Sequence, residues 1–219
     1  MIRRDYILRM VAEMAQVLAR VVSLKRREEY EQALREIDGA LRQLREGGEQ
    51  APNEVSLADW IALCRKHEQA ASGLMMAVAD LLREQGELLA ARNDSTGSDR
   101  ARVLALGLFL EALVEGDAYV TAELLDKVDG LFNEVRESLS QPEVWRRLVK
   151  YLEARGRFAG AEDALFAWRE TDDAAARAEG AVFYDRLLAL DNANLEQGNL
   201  PRNEVEQGRR EFLGDGVSD

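Results

Sequence analysis

WRRLVKYLEARGRFAGAEDALFAW, residues 145–168, is the stretch that decides the fold class. From Trp145, the apolar residues Leu148, Val149 and Leu152 recur at three- and four-residue steps and so share one helical face. The run Ala154-Arg155-Gly156-Arg157 interrupts that pattern. Phe158, Ala161, Leu165 and Trp168 then start a second stripe of the same period. Two one-faced helices joined by so short a turn bury their stripes by folding back on each other, which predicts an antiparallel helical hairpin. Pro142 suits the first turn of the leading helix, where a missing N–H costs nothing.

Working outward, the same period recurs almost everywhere. Arg4–Leu24 carries Ile7, Val11, Met14, Leu18 and Val21, with Tyr6, Met10, Val17 and Leu24 on an adjacent stripe, an apolar surface wide enough to need more than one neighbour. A second helix, Glu28–Arg45, presents Tyr30, Ala33, Leu34, Ile37, Leu41 and Leu44 and stops at Gly47-Gly48. Ser56, three residues before Asp59, predicts a capped helix through Trp60, Ile61 and Leu63. Further helices are expected over Gln69–Ala91, Arg100–Glu115, Tyr119–Ser138, Pro142–Ala154, Phe158–Glu170 and Ala174–Leu190. The polar stretch 93–99 reads as a surface loop. After it all, Leu200-Pro201 restarts a last helix, with Asn199 as its cap and Val205, Phe212 and Leu213 as sparse anchors, so weak docking is expected. No stretch alternates in the manner of a strand. The expectation is an all-α chain forming one domain over 1–213, with 214–219 fraying.

The chain has 219 residues, 29 Lys and Arg against 41 Asp and Glu, one His, one Cys and three Pro. One Cys and one His cannot make a four-ligand zinc site or a disulfide framework. The net charge of −12 argues against a nucleic-acid ligand, which needs cations to replace phosphate counterions. Charge is uneven, with ten basic and seven acidic residues over 1–45, leaving 19 against 34 beyond. Asp5, Arg9, Glu13 and Arg20 interrupt any signal-like apolar run, and no window is apolar enough to span a membrane, so a cytoplasmic protein is expected.

The 145–168 stretch resembles a tetratricopeptide repeat. Trp145, Leu148 and Val149 occupy the family's first-helix positions, Ala161 is the small residue that lets the two helices approach, and Phe158 fills the wedge to the next hairpin. Val149 and Trp168 depart from the family's smaller residues. Weaker copies run through Leu106, Phe109, Leu110, Leu113, Gly116-Asp117, Tyr119 and Ala122, with Asp126 and Asp129 out of pattern, and through Tyr30, Ala33, Ile37 and Ala40. The opening Met1–Ile7, the segment Phe158–Phe166 and the ending Gly198–Val205 resemble an uncharacterised bacterial family of tetratricopeptide-like proteins. The resemblance implies antiparallel hairpins stacked as a short right-handed array of three to five repeats, and brings no known activity.

Catalytic patterns are weak. Cys64 and His67 lie three residues apart on one helical face, but Arg65, Lys66 and Glu68 give that face the charge of an exposed helix end and no third group orients the pair. Glu28-Glu29, Glu162-Asp163 and Asp172-Asp173 read as solvated faces or helix-start charges, because a helical di-iron site needs Glu-x-x-His motifs that the chain lacks. Asp94 to Asp99 around Gly97 lacks the ligands of a calcium loop. Met10, Met14, Met75 and Met76, and Trp60, Trp145 and Trp168, sit at core spacing.

The expectation is a protein that is not an enzyme and has no cofactor or metal: an interaction module that presents a groove to a protein or peptide. In the 145–168 copy the resemblance puts Glu143, Arg146, Lys150 and Glu153 on the groove side, and Arg146 and Lys150, one turn apart, suit an acidic peptide or a carboxylate. A self-associating structural subunit using the first helix is the alternative, and a small-ligand sensor the third reading.

Overall fold

The structure, a computed structural model, describes residues 2–46, 50–67, 70–115 and 120–214, without the side chains of residues 2–8 and 115. The expected Gly47-Gly48 stop, the Gln69 helix start, the Gly116-Asp117 turn with Tyr119, the Tyr6 and Ile7 side chains and the fraying beyond Gly214 lie outside the described residues. The described chain is helical, without a strand, and its contacts divide it into two compact units at Ser138/Leu139. No helix among the described residues is long and apolar enough to cross a membrane.

The first unit contains α1 (Ile2–Arg26), α2 (Tyr30–Leu44), α3 (Leu57–Arg65), α4 (Ala71–Ala91), α5 (Ser95–Glu115) and α6 (Ala122–Val135). Its axis is the pair α4–α5, packed along their lengths, on which α3 also rests; α1 and α2 pack against α4, and α6 against α5. The middle of α5, residues 103–110, is apolar all round and buried accordingly, with Ala105, Leu106, Leu108, Phe109 and Leu110 all inaccessible. Ser56 caps α3 as its spacing predicts, accepting the Asp59 N–H at 3.1 Å and donating to the Asp59 carboxylate at 2.7 Å.

Several expectations are corrected here. The loop over 93–99 shrinks to a tight turn, because Asp94 accepts the Gly97 N–H at 2.9 Å and so starts α5 at Ser95. That role also accounts for the calcium-like acidic spacing. On α1 the covered residues are Met14, Val17, Val21 and Leu24, which cut across the two expected stripes, while Val11 and Leu18 are only half-buried. α6 buries Val128, Leu131 and Val135 and leaves Ala122 exposed, so the repeat register through Ala122 is not the packing register.

The second unit contains α7 (Pro142–Ala154), α8 (Phe158–Thr171), α9 (Asp173–Leu188), α10 (Asn192–Gln197) and α11 (Arg202–Leu213). Pro142 occupies the first turn of α7, and the Trp145 indole donates to the Leu139 carbonyl at 3.1 Å. Gly156, at φ 66°, takes the left-handed conformation that ends α7, and the Arg157 N–H returns to the Leu152 carbonyl at 2.8 Å. The three-residue turn lets α7 and α8 pack together, with Ala161 and Leu165 inaccessible between them. Asp172 caps α9 through the Ala175 N–H at 3.0 Å, so the Asp172-Asp173 pair is a cap and its first-turn neighbour. Asp191 caps α10, a short helix that the periodicity does not reveal. Asn199, at φ 57°, closes α10 rather than capping α11, which follows Pro201.

α11 is firmly seated, against expectation. Phe212 is fully buried, edge-on to Phe166 at 5.0 Å and tilted against Tyr184 at 6.0 Å. Arg177 and Arg169 donate to the Leu213 and Phe212 carbonyls at 2.7 and 3.1 Å, satisfying acceptors that a helix end otherwise leaves open. Arg202 pins the other end to Asn192 at 2.6 Å and to the Leu188 carbonyl at 3.2 Å.

Beneath α11, the Tyr184 hydroxyl donates to the Glu162 carboxylate at 2.7 Å. Burial raises the Glu162 pKa above its ordinary 4.5, and the nearby Asp163, Glu204 and Glu211 add to this, against the opposing bond from Tyr184. A carboxyl raised in the folded state contributes most while protonated, below its unfolded pKa, and loses that contribution as pH rises through the folded value. Glu162→Gln should therefore gain stability relative to wild type as pH climbs above 4.5, read from melts across a pH series. A difference that grows towards acid pH would contradict this assignment.

Candidate functional site

Two of the four residues expected on the groove side of α7, Arg146 and Glu153, meet α9. Arg146 donates to Glu179 at 3.2 Å, and Arg186 makes a two-pronged bond to Glu153 at 2.7 and 2.6 Å. Each pair is separated by 33 residues, and both partners advance in the same direction, so α7 and α9 run parallel. Arg186 also lies 3.9 Å from Glu179, which ties the two pairs together. The Arg146 guanidinium sits 5.9 Å from the centre of the buried Trp168 ring on α8, a further contact that orients it over the unit's core.

Between these pairs lie Lys150 and Val182. Lys150 is exposed and forms no ion pair with the described residues. Val182 is 51% exposed, although every other large apolar side chain of α9 among the described residues is at least partly covered. By the 33-residue offset Val182 falls level with Val149 and Lys150, and since Val149 is buried, the exposed face offers one uncommitted cation at the height of an apolar side chain, bracketed by two fixed ion pairs. Arg146 and Glu153, expected to face a partner, are instead engaged within the chain. Glu179, Val182 and Arg186 escaped the sequence reading, because the 33-residue offset that pairs α9 with α7 is visible only in the folded chain.

The other candidates are placed as follows. Cys64 is fully buried, and burial pushes its thiol up to about 12, so it is protonated at neutral pH. His67, whose backbone N–H donates to the Cys64 carbonyl at 3.0 Å, is half-exposed at a cleft of about 300 Å³ floored by Met14, Val17 and Leu44. A second cleft, about 590 Å³, lies where the α7–α8 turn meets α10 and is edged by Arg155, Arg157 and Asn194. Trp60, Trp145 and Trp168 are inaccessible or nearly so, as core residues. Among the described residues, no group of three or more His, Cys, Asp or Glu side chains is placed to hold a metal ion.

No curated protein and no solved structure shows significant similarity to the chain. A family model, by contrast, matches residues 1–214, nearly the whole sequence. The chain belongs to a family of unknown function (DUF6483).

Proposed function

We propose that this is a non-catalytic protein-interaction module whose α7–α9 face holds an acidic peptide. The observation that carries the reading is the constant 33-residue offset of the Arg146–Glu179 and Glu153–Arg186 pairs. Parallel α7 and α9, with α8 packed on each, match the placement of first helices in successive tetratricopeptide-like repeats, whose period is about 34 residues. In such arrays the first helices line the binding surface.

Lys150 then supplies the charge for a peptide carboxylate, while Val182 receives an apolar side chain next to it. Arg146, balanced by Glu179, orients the face rather than gripping the ligand. An exposed ion pair contributes only about 0.2–1 kcal/mol, so the apolar contact at Val182 supplies a comparable share of the affinity.

The reading is tested by selecting displayed random peptides on the full chain and re-measuring the winners on the Lys150→Glu, Val182→Glu variant. The expected result is enrichment of peptides with an acidic residue beside an apolar one, and an affinity loss of about tenfold or more on the variant. Winners that bind both proteins equally would sink the proposal. Both substitutions are at exposed positions, so the melting temperature should stay within the small range of surface changes.

A further inference from the structure

We propose that α11 is a proton-sensitive strap, held more tightly while the Glu162 carboxyl beneath it carries a proton and loosened once that proton is gone. The α11 backbone passes directly over this carboxyl: a Cβ at Gly208 would run into Glu162 Oε1 and stand 3.0 Å from the Tyr184 hydroxyl. α8 supplies Glu162, α9 supplies Tyr184 and α11 closes over both, so the hydrogen-bonded pair lies where three helices meet. Tyr184 is inaccessible and Glu162 is half-buried. Among the described residues, the bond from Tyr184 at 2.7 Å is the one that the Glu162 carboxylate accepts, and no cation pairs with it.

The surrounding charges oppose ionisation. Asp163 on α8 and Glu204 and Glu211 on α11 act on Glu162 as like charges. The nearby cations are turned elsewhere: Arg209, next to Gly208, pairs with Asp185 of α9 at 3.1 Å, and Arg169 of α8 donates to the Glu211 and Phe212 carbonyls at 3.3 and 3.1 Å. A negative charge under the docked helix therefore loses water and meets three repulsive neighbours, with a single hydrogen bond to offset both. Lifting α11 returns the carboxyl to water and carries Glu204 and Glu211 away from it. Protonated Glu162 thus favours the docked helix, and a rise in pH above its ordinary 4.5 favours the open one until the higher docked value is passed. Tyr184, which burial also pushes up, stays a donor throughout this range. Because α11 packs on the helix that bears Glu179, Val182 and Arg186, the strap sets how firmly the proposed peptide face is held. That consequence rests on the peptide reading, whereas the strap itself does not.

Native-state hydrogen exchange on the full chain, without peptide, reads the strap directly. With rates corrected for the intrinsic effect of pH, the opening constant of the α11 amides is expected to rise at least about threefold between about pH 4.5 and about pH 7, and by no more than about tenfold per pH unit, the limit for one proton. The amides of α4 and α5, in the other unit, should not follow. Glu162→Gln, which keeps an acceptor for Tyr184, should flatten the rise. Glu204→Gln with Glu211→Gln, both at exposed positions and leaving the buried pair in place, should reduce it without removing it. An opening constant independent of pH, a rise that persists in Glu162→Gln, or one that α4 and α5 share in full overturns the inference. So does a rise that the Glu204→Gln, Glu211→Gln variant leaves unchanged, a result that can be read whether or not Glu162→Gln folds.

Discussion

Phe212→Ala is expected to lower stability by about 3–5 kcal/mol, the range for removing a large aromatic from a packed core. The ring is fully buried and touches Phe166 and Tyr184, and the Arg169 guanidinium lies 5.1 Å from its centre. It reaches this site because α9 has a glycine beneath it: a Cβ at Gly180 would come within 2.2 Å of the ring. Gly180→Ala should therefore act in the same direction, at about 1–3 kcal/mol, by forcing the ring out. Urea unfolding gives the loss, and hydrogen exchange should show the α11 amides losing protection first. A cost below about 1 kcal/mol for Phe212→Ala would mean that the site collapses readily or that α11 is held chiefly by Arg169 and Arg177.

Glu84→Ala is the second large effect, about 2–4 kcal/mol, because it leaves two cations short of their partner. Glu84 is 2% exposed and accepts from Lys25 at 2.5 Å and from Arg83 at 2.6 Å, and Glu87 bonds the same two cations at 2.5 and 2.6 Å. The cluster fastens the end of α1 to α4. Burial alone would lower the Lys25 pKa, but the bonds that its ammonium donates to the two carboxylates outweigh it and raise the value above 10.5. That stabilisation is complete below the unfolded pKa and is lost only as pH rises through the higher folded value. Replacing both partners, Lys25→Met with Glu84→Leu, should recover much of the loss, since an apolar pair carries no stranded charge. A double-mutant cycle reads the coupling, and a coupling near zero would show that Glu87 and Arg83 hold the joint without Glu84.

Helices were legible wherever an apolar stripe repeats and a cap follows the usual chemistry, as at Ser56, Pro142 and Gly156. Elsewhere the information is not local. Asp94 looks like any polar loop residue until Gly97 brings an N–H within its reach. α11 looked weakly anchored because three apolar residues are few, but its seat depends on close approach at Gly180, which hydropathy does not register. The residues joining the two units, around Ser138 and Leu139, carry no shift in composition, so nothing in the sequence marks that division. At the candidate site, the resemblance implied one shared side of α7 for Glu143, Arg146, Lys150 and Glu153. Which of them is already neutralised depends on α9 arriving in parallel with a 33-residue offset, and only the folded chain shows that.

The central claim, that the α7–α9 face receives an acidic peptide, has a direct optical test. Cys64 is the only cysteine, buried and protonated, so a thiol-reactive fluorophore on Val182→Cys will label that one position. Titrating the labelled full chain with a selected acidic peptide should shift the emission, and adding Lys150→Glu should abolish the shift. A peptide that binds without changing the emission at Val182→Cys, or a shift indifferent to Lys150→Glu, would contradict the account.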